Sequence, residues 1–183
     1  MSTAAHHEVN KIWQQLLNTD AYQSISADID DYRKQVNVFM PGECYYYIFA
    51  LPKGNFEMVS DEIEKVLGYH PSEVDVPFII DKMHPEDQPW FVKFENYVVQ
   101  FFSKLSLDQV PHYKVRYDYR IRKKNGEYIR VLQQVITVEF SKENPVVKTF
   151  GVHSDISYLK MEGKPVLSII GYNGEPSYID ITV

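Results

Sequence analysis

The dipeptide Asn125-Gly126 constrains the fold more than any other feature of the chain, because two long runs of alternating apolar and polar residues flank it. A two-residue hairpin loop of type I′ needs a positive φ at both positions, which asparagine tolerates and glycine adopts freely. The dipeptide therefore predicts a tight turn over residues 124–127. With a further run that ends at Asp155, it predicts a three-stranded antiparallel ladder over residues 113–155.

The predicted turn also sets the pairing of the strands. Counting outward from it, Tyr119 pairs with Leu132 and Tyr117 pairs with Gln134. A one-residue slip would exchange the two faces of the ladder, so this register predicts which side chains face the core. The predicted inner face also holds Ile121, Arg130, Val115, Ile136, Tyr113 and Val138. The opposite face holds Lys114, Arg116, Asp118, Arg120, Arg122, Ile129, Val131, Gln133, Val135 and Thr137.

Composition limits the class of protein. The 183 residues are 44% hydrophobic and 24% charged, which is typical of a globular domain. The net charge of −6 argues against a dedicated nucleic-acid surface, which needs clustered lysine and arginine. No apolar run reaches the roughly 18–20 residues that cross a bilayer, and the first residues do not have the pattern of a signal peptide. These features predict a cytoplasmic protein that does not interact with membranes.

The N-terminal part, residues 1–43, contains two apolar stripes at helical spacing. They predict two helices ahead of the sheet. Their apolar faces could pack either on the mixed face of the ladder or on a second copy of the chain, and Trp13 is the largest side chain on the first stripe. We therefore take the end of the first stripe as a candidate homodimer interface. The first stripe is Val9, Ile12, Trp13, Leu16 and Leu17, with Ile12, Trp13, Leu16 and Leu17 as interface candidates; the second stripe is Ile25, Ile29, Tyr32 and Val36.

Residues 44–158 carry the signals of a complete α+β domain. A β-rich run over 44–51 and a short strand over 56–59 predict a hairpin. Asp61 with Glu64 predicts a capping box, and Gly68 predicts the end of that helix. Pro85, within the run 84–87, predicts the start of the longest helix. The helix dipole favours the two carboxylates of this run, because its N-terminal end is positive. The predicted buried stripe of this helix is Phe91, Phe94, Val98, Phe101 or Phe102, and Leu105.

The tail, residues 159–183, predicts one more hairpin with a turn at Asn173-Gly174. In its last run, residues 178–183, apolar and polar residues alternate as in a strand up to the final residue. We expect the native chain to continue beyond it into an output domain.

The order of these elements and several short sequences resemble a PAS domain of the bacterial signalling type. The resemblance covers residues 45–157 and depends on the order and spacing of its segments together. The segments are 59–60 (VS), 66–69 (VLGY), 84–87 (HPED), 119–128 (YRIRKKNGEY) and 151–157 (GVHSDIS). Asn125 stands where the family usually has aspartate, and Arg130 lies near a frequent tryptophan position.

The resemblance implies an α+β fold: a five-stranded antiparallel sheet with short helices and one long helix on one face. Two N-terminal helices would precede it and a β-hairpin would follow. It also implies signal reception, a small-molecule pocket in some members and dimerisation. Residues 169–178 look like the segment that joins such sensors to a LuxR-type helix-turn-helix, so contact with DNA is expected only through a domain outside this chain.

Two interpretations of the inner face remain open: a ligand pocket, or a filled core whose tyrosine hydroxyls reach other partners. In the first case Tyr117, Tyr119 and Gln134 supply polar groups. The helical residues that would roof the pocket are Phe78, Met83, Trp90, Phe91 and Phe94, together with Ile80.

No residue pattern predicts catalysis or a bound cofactor. The run 84–87 could be an acid/base or metal group, but a helix start accounts for it. His112 and His153 are the only candidates for a haem ligand, and Cys44 precedes the region where a flavin adduct would form. We expect no metal, no cofactor and no enzyme activity. A small α+β-barrel enzyme, which needs a base in the pocket, and a purely structural dimerisation domain are the alternatives.

Overall fold

A computed structural model of the chain describes residues 2–17, 25–26, 43–142 and 145–183. Most of the predicted second N-terminal helix, including Ile29, Tyr32 and Val36, lies outside the described residues. Ile25, the first residue of that stripe, belongs to a short strand, so the helix prediction is wrong at this position.

The described chain folds into four α-helices and eight strands. The helices are α1 (Ser2–Trp13), α2 (Glu62–Leu67), α3 (Val76–Lys82) and α4 (Gln88–Phe102). The strands are β1 (Ile25–Ser26), β2 (Cys44–Ala50), β3 (Asn55–Val59), β4 (Tyr113–Arg122), β5 (Tyr128–Phe140), β6 (Lys148–Asp155), β7 (Leu167–Gly171) and β8 (Tyr178–Ile181).

All strand pairs are antiparallel and form one sheet in the order β3-β2-β6-β5-β4-β7-β8, with β1 paired to β5. The predicted α+β class and the ladder β4-β5-β6 are confirmed. The predicted number of strands is too low, because the C-terminal hairpin does not stand apart from the sheet. β7 pairs along β4, from Tyr113 opposite Gly171 to Tyr117 opposite Leu167, and extends the sheet at that edge.

The predicted register between β4 and β5 is wrong by one residue. The Gly126 amide donates to the Lys123 carbonyl at 3.0 Å, and the Lys123 amide donates to the Glu127 carbonyl at 2.8 Å. Gly126 has a φ of 93°, whereas Asn125 does not have a positive φ, so the loop is a type I turn followed by a bulge. Tyr119 therefore pairs with Val131, and Tyr117 pairs with Gln133. The two faces of β5 are exchanged relative to the prediction.

Helix α1 packs on its own domain. It lies against α3 and α4, on the same side of the sheet as those helices. The Trp13 ring contacts Phe49 with centroids 4.6 Å apart. Ile12, Trp13 and Leu16 are all buried, and Leu17 is half-buried. These four candidates for a dimer interface therefore pack against their own chain.

The residues at two helix starts act differently from the prediction. Asp61 makes no side-chain capping bond, although Gly68 ends α2 at a φ of 84° as expected. Asp87 does not cap α4 either. Its buried carboxylate accepts hydrogen bonds from the Arg120 backbone amide at 2.8 Å and from the Arg120 guanidinium at 2.7 and 3.0 Å. The segment 84–87 therefore ties the start of α4 to β4.

Candidate functional site

A cavity of about 110 Å³ lies between the inner face of the sheet and the helices. A buried water needs roughly 10–15 Å³ of such space, so the cavity is large enough for several water molecules or a small organic group. Its walls are mostly apolar and aromatic. They include Trp13, Tyr47, Phe49, Phe91, Val98, Val99, Phe102, Val115, Tyr117 and Val135.

Glu95 is the carboxylate in this wall. The residue is on α4, one position after the buried Phe94, and its side chain reaches between two hydrogen-bond donors. The Trp13 indole N–H donates to Oε2 at 2.6 Å, and the Tyr117 hydroxyl donates to Oε1. Desolvation by the surrounding protein raises the pKa of the Glu95 carboxyl, although both hydrogen bonds act in the opposite direction.

The hydrogen bonds continue from Glu95 across the inner face of the sheet. The Gln133 amide nitrogen donates to the Tyr117 hydroxyl at 2.5 Å, and its carbonyl oxygen lies 2.7 Å from His153 Nε2. On the far side of the imidazole, Nδ1 lies 2.5 Å from the Tyr45 hydroxyl. These contacts place a proton on Nε2 and make Nδ1 the acceptor. We call the series Tyr45, His153, Gln133, Tyr117 and Glu95 the core hydrogen-bond chain.

The core hydrogen-bond chain carries no positive charge. Burial lowers the pKa of His153 to about 3, so the imidazole is neutral at physiological pH. Burial also raises the pKa of the Tyr45, Tyr117 and Tyr119 hydroxyls, which therefore stay protonated. Glu95 is the group in this chain that can carry a formal charge.

The predicted pocket residues fall into three groups. Tyr117, Tyr119, Phe91 and Ile80 line the cavity. Gln134 does not, because the corrected register places it opposite Arg116, on the other face of the sheet. The remaining four pack elsewhere. Phe78 contacts Tyr69, Met83 bridges to Ile121, Phe94 lies behind Tyr117, and Trp90 contacts Phe94.

Sequence reasoning missed the polar residues that matter most in the cavity. Glu95 lies between apolar positions of α4 and has no recognisable motif. Gln133 was assigned to the wrong face through the register error. The face of His153 could have been found from strand alternation, since it lies two positions after Gly151 on β6 and pairs with Tyr45, two positions before the Tyr47 partner of Gly151.

A second polar cluster lies on the opposite face of the sheet. Arg130 is fully buried, and its Nε donates to Asp118 at 2.5 Å. Lys160 Nζ and the Val166 amide also donate to Asp118, at 2.9 and 3.0 Å. Arg130 Nη1 donates to the Gly163 carbonyl at 2.8 Å. This cluster fixes the segment 156–166 to the sheet. The Asp118 carboxylate therefore has a structural role.

Three further observations concern a metal site, Cys44 and a membrane span in the part of the chain that the structure describes. Within those residues no three His, Cys, Asp or Glu side chains are grouped so that they could hold a metal ion. Cys44 packs on the opposite face of the sheet from the cavity. None of the described helices is both long enough and apolar enough to span a bilayer.

Several known structures resemble this one. The N-terminal domain of a diguanylate cyclase with a PAS/PAC sensor from Marinobacter aquaeolei is 28% identical, with 63% of this chain and 96% of that chain covered and a TM-score of 0.47. A PAS domain from Colwellia psychrerythraea is 16% identical, with 72% and 99% covered and a TM-score of 0.48. No curated protein matches the chain in sequence.

The sequence profile of the PAS fold matches residues 56–153, which is more than half of the chain. The matched segment runs from β3 to β6 and includes Glu95, Gln133 and His153 of the core hydrogen-bond chain. The chain belongs to the PAS fold family.

Proposed function

We propose that this chain is the ligand-binding sensor module of a bacterial regulator, and that it binds a small molecule in the cavity beside Glu95. A PAS domain is a sensory domain typical of signal-transduction proteins. The observation that carries the proposal is the cavity itself, because an apolar wall with a few placed polar groups is the usual form of a ligand site.

The position of the cavity supports a signalling role. Tyr117 bonds to Glu95 on the cavity side and pairs with Leu167 of β7 along the sheet. Val115, which also lines the cavity, pairs with Ile169. A ligand that moves β4 would therefore act directly on the C-terminal hairpin.

The enzyme alternative required a base in the pocket, and Glu95 is a carboxylate in that place. Both of its oxygens already accept hydrogen bonds from Trp13 and Tyr117, and the neighbouring polar groups form one continuous chain of bonds. This arrangement favours binding over proton transfer.

The proposal also concerns the output that the sensor controls. The resemblance of residues 169–178 to a linker before a LuxR-type helix-turn-helix supports a transcriptional regulator. In that case DNA binding belongs to a domain outside this chain. We expect these 183 residues to bind random duplex DNA more weakly than about 10⁻⁶ M at low salt. Tighter binding that falls steeply with added salt would contradict this division.

Self-association is also proposed, since dimerisation is common among PAS domains. The adjacent side chains of Tyr158 and Leu159 are 67% and 66% accessible, and such a grouped exposed apolar pair supports an interface outside α1. Light scattering across a concentration series should give twice the mass of the chain; a constant monomer mass would contradict the proposal.

Ligand binding is tested by filling the cavity. Val98 and Val92 are both half-buried on α4, but only Val98 lines the cavity. We expect toluene to shift the methyl NMR signals of Val99 and Val115 in the wild-type protein and in Val92→Phe. Val98→Phe should abolish these shifts. Unchanged signals in the wild type, or equal shifts in Val98→Phe, would contradict a ligand site in this cavity.

A further inference from the structure

We propose that the ligand of this cavity is a small apolar cation, an amine whose ammonium group pairs with Glu95 while its apolar part occupies the aromatic walls. This inference rests on the proposed function, because it names the chemical class of the molecule that the cavity binds.

Glu95 has no cationic partner among the described residues. Its two hydrogen-bond donors, Trp13 and Tyr117, are neutral. The cavity lining contains neither lysine nor arginine. Charged groups inside proteins are normally paired, because an isolated ion loses much of its solvation free energy when it is buried. The carboxylate is therefore suited to a positive charge brought by a ligand.

His153 is the nitrogen base in the lining of the cavity. Its Nδ1 and Nε2 are both engaged, by Tyr45 and by Gln133. A neutral imidazole held in this way neither neutralises Glu95 nor repels an incoming ammonium group. The cavity thus has an acidic group and no competing basic one.

The cavity walls near Glu95 are aromatic. Trp13 bonds to the carboxylate, and Phe49 and Tyr47 line the same cavity. Aromatic faces attract cations through their quadrupole, most strongly when the site is desolvated. The volume of about 110 Å³ limits the apolar part to a compact group.

The half-buried carboxylate of Glu95 is already held in place by the fold. Trp13 and Tyr117 hold the two oxygens in position before any ligand arrives. An ammonium group consequently gains both a hydrogen bond and an ion pair with the carboxylate without reorganising the site, whereas an alcohol of the same shape gains the hydrogen bond but brings no positive charge.

Three probes of similar size separate this inference from the proposed function: benzylamine, benzyl alcohol and toluene. Dissociation constants are measured at neutral pH from the methyl NMR signals of Val99 and Val115. We expect benzylamine, which is protonated at that pH, to bind about tenfold more tightly than benzyl alcohol, or better. Equal or tighter binding of the neutral probes would overturn the cationic class and leave the ligand site standing. Binding of none of the three would overturn both.

Glu95→Gln provides the second arm. Its matched control is Glu175→Gln, since Glu175 also accepts a tyrosine hydroxyl, from Tyr113 at 2.9 Å, but lies outside the cavity lining. The preference for benzylamine should disappear in Glu95→Gln and persist in Glu175→Gln. A preference that persists in Glu95→Gln would overturn the inference. If Glu95→Gln does not fold, the ranking of the three probes on the wild-type protein decides the question alone.

Discussion

Trp13 donates its indole N–H to the Glu95 carboxylate at 2.6 Å, across 82 positions of sequence. The bond joins the N-terminal helix α1 to the central helix α4 at the wall of the cavity. The polar end of the cavity therefore depends on a residue that lies outside the segment matched by the PAS profile, which begins at residue 56.

Trp13→Phe tests this bond. Phenylalanine keeps an aromatic ring near Phe49 but removes the donor to Glu95. We expect the free energy of unfolding to fall by about 1–3 kcal/mol, because hydrogen bonds to charged groups contribute that much. Urea unfolding provides the measurement. Trp90→Phe is the control, since Trp90 lies on the same helix as Glu95 but contacts Phe94 and Lys93. Equal losses in the two variants would contradict a special role for the Trp13 donor.

The corrected register makes a prediction about two neighbouring glutamines. Gln133→Leu removes the link between Tyr117 and His153, whereas Gln134→Leu changes the other face of the sheet. We expect Gln133→Leu to cost about 1–3 kcal/mol, because it leaves buried polar groups without partners. Gln134→Leu should cost less. If urea midpoints show the larger loss for Gln134→Leu, the pairing of Tyr117 with Gln133 is wrong.

Gly151 allows the Tyr47 ring to lie directly over β6. A Cβ at this position would come within 2.1 Å of Tyr47 Cζ, so the ring would have to move. We expect Gly151→Ala to destabilise the fold by about 1–3 kcal/mol, as overpacking does. In a Tyr47→Leu background the same substitution should cost less, because the ring is absent. Additive losses in this double-mutant cycle would show that the close contact carries no strain.

His153 predicts a loss of stability in acid. Its pKa is about 3 in the folded protein and 6.5 as the ordinary value, so between these limits the unfolded chain binds a proton that the folded chain does not. This contribution is absent above about pH 6.5, and stability falls as the pH drops below it, by about 1.4 kcal/mol per pH unit. Glu95 acts in the opposite direction because its pKa is raised.

The comparison that isolates His153 is the slope of unfolding free energy against pH between pH 6 and pH 4. The wild type should have a steeper slope than His153→Gln by close to one proton. Identical slopes would mean that the imidazole is not buried in its neutral form.

The sequence predicted most elements because their signals are local. The apolar spacing of α1, the proline near the start of α4 and the glycine at the end of α2 each act within one or two helical turns. The hairpin between β4 and β5 was also predicted, but not its register. Asn125-Gly126 suits both a two-residue loop and a longer loop with a bulge, and the two differ by one residue in pairing.

The candidate site was harder to predict because its polar groups meet through tertiary packing. Glu95, Gln133 and Trp13 come from three distant segments, and none of them lies in a motif. Asp87 had a local explanation as a helix-start carboxylate, yet its bonds to Arg120 are made across 33 positions. Local patterns locate the walls of such a cavity but not the residues that give it chemical character.

Ligand binding requires an accessible cavity beside Glu95, and a crystal structure determined under xenon pressure would reveal it. Xenon enters apolar cavities that are not filled by side chains. We expect xenon density between α4 and the sheet, in contact with Val98 and Val115, and none in a Val98→Phe crystal prepared in the same way. A wild-type crystal without xenon at this place, with side chains packed through the volume, would mean that the core has no room for a ligand.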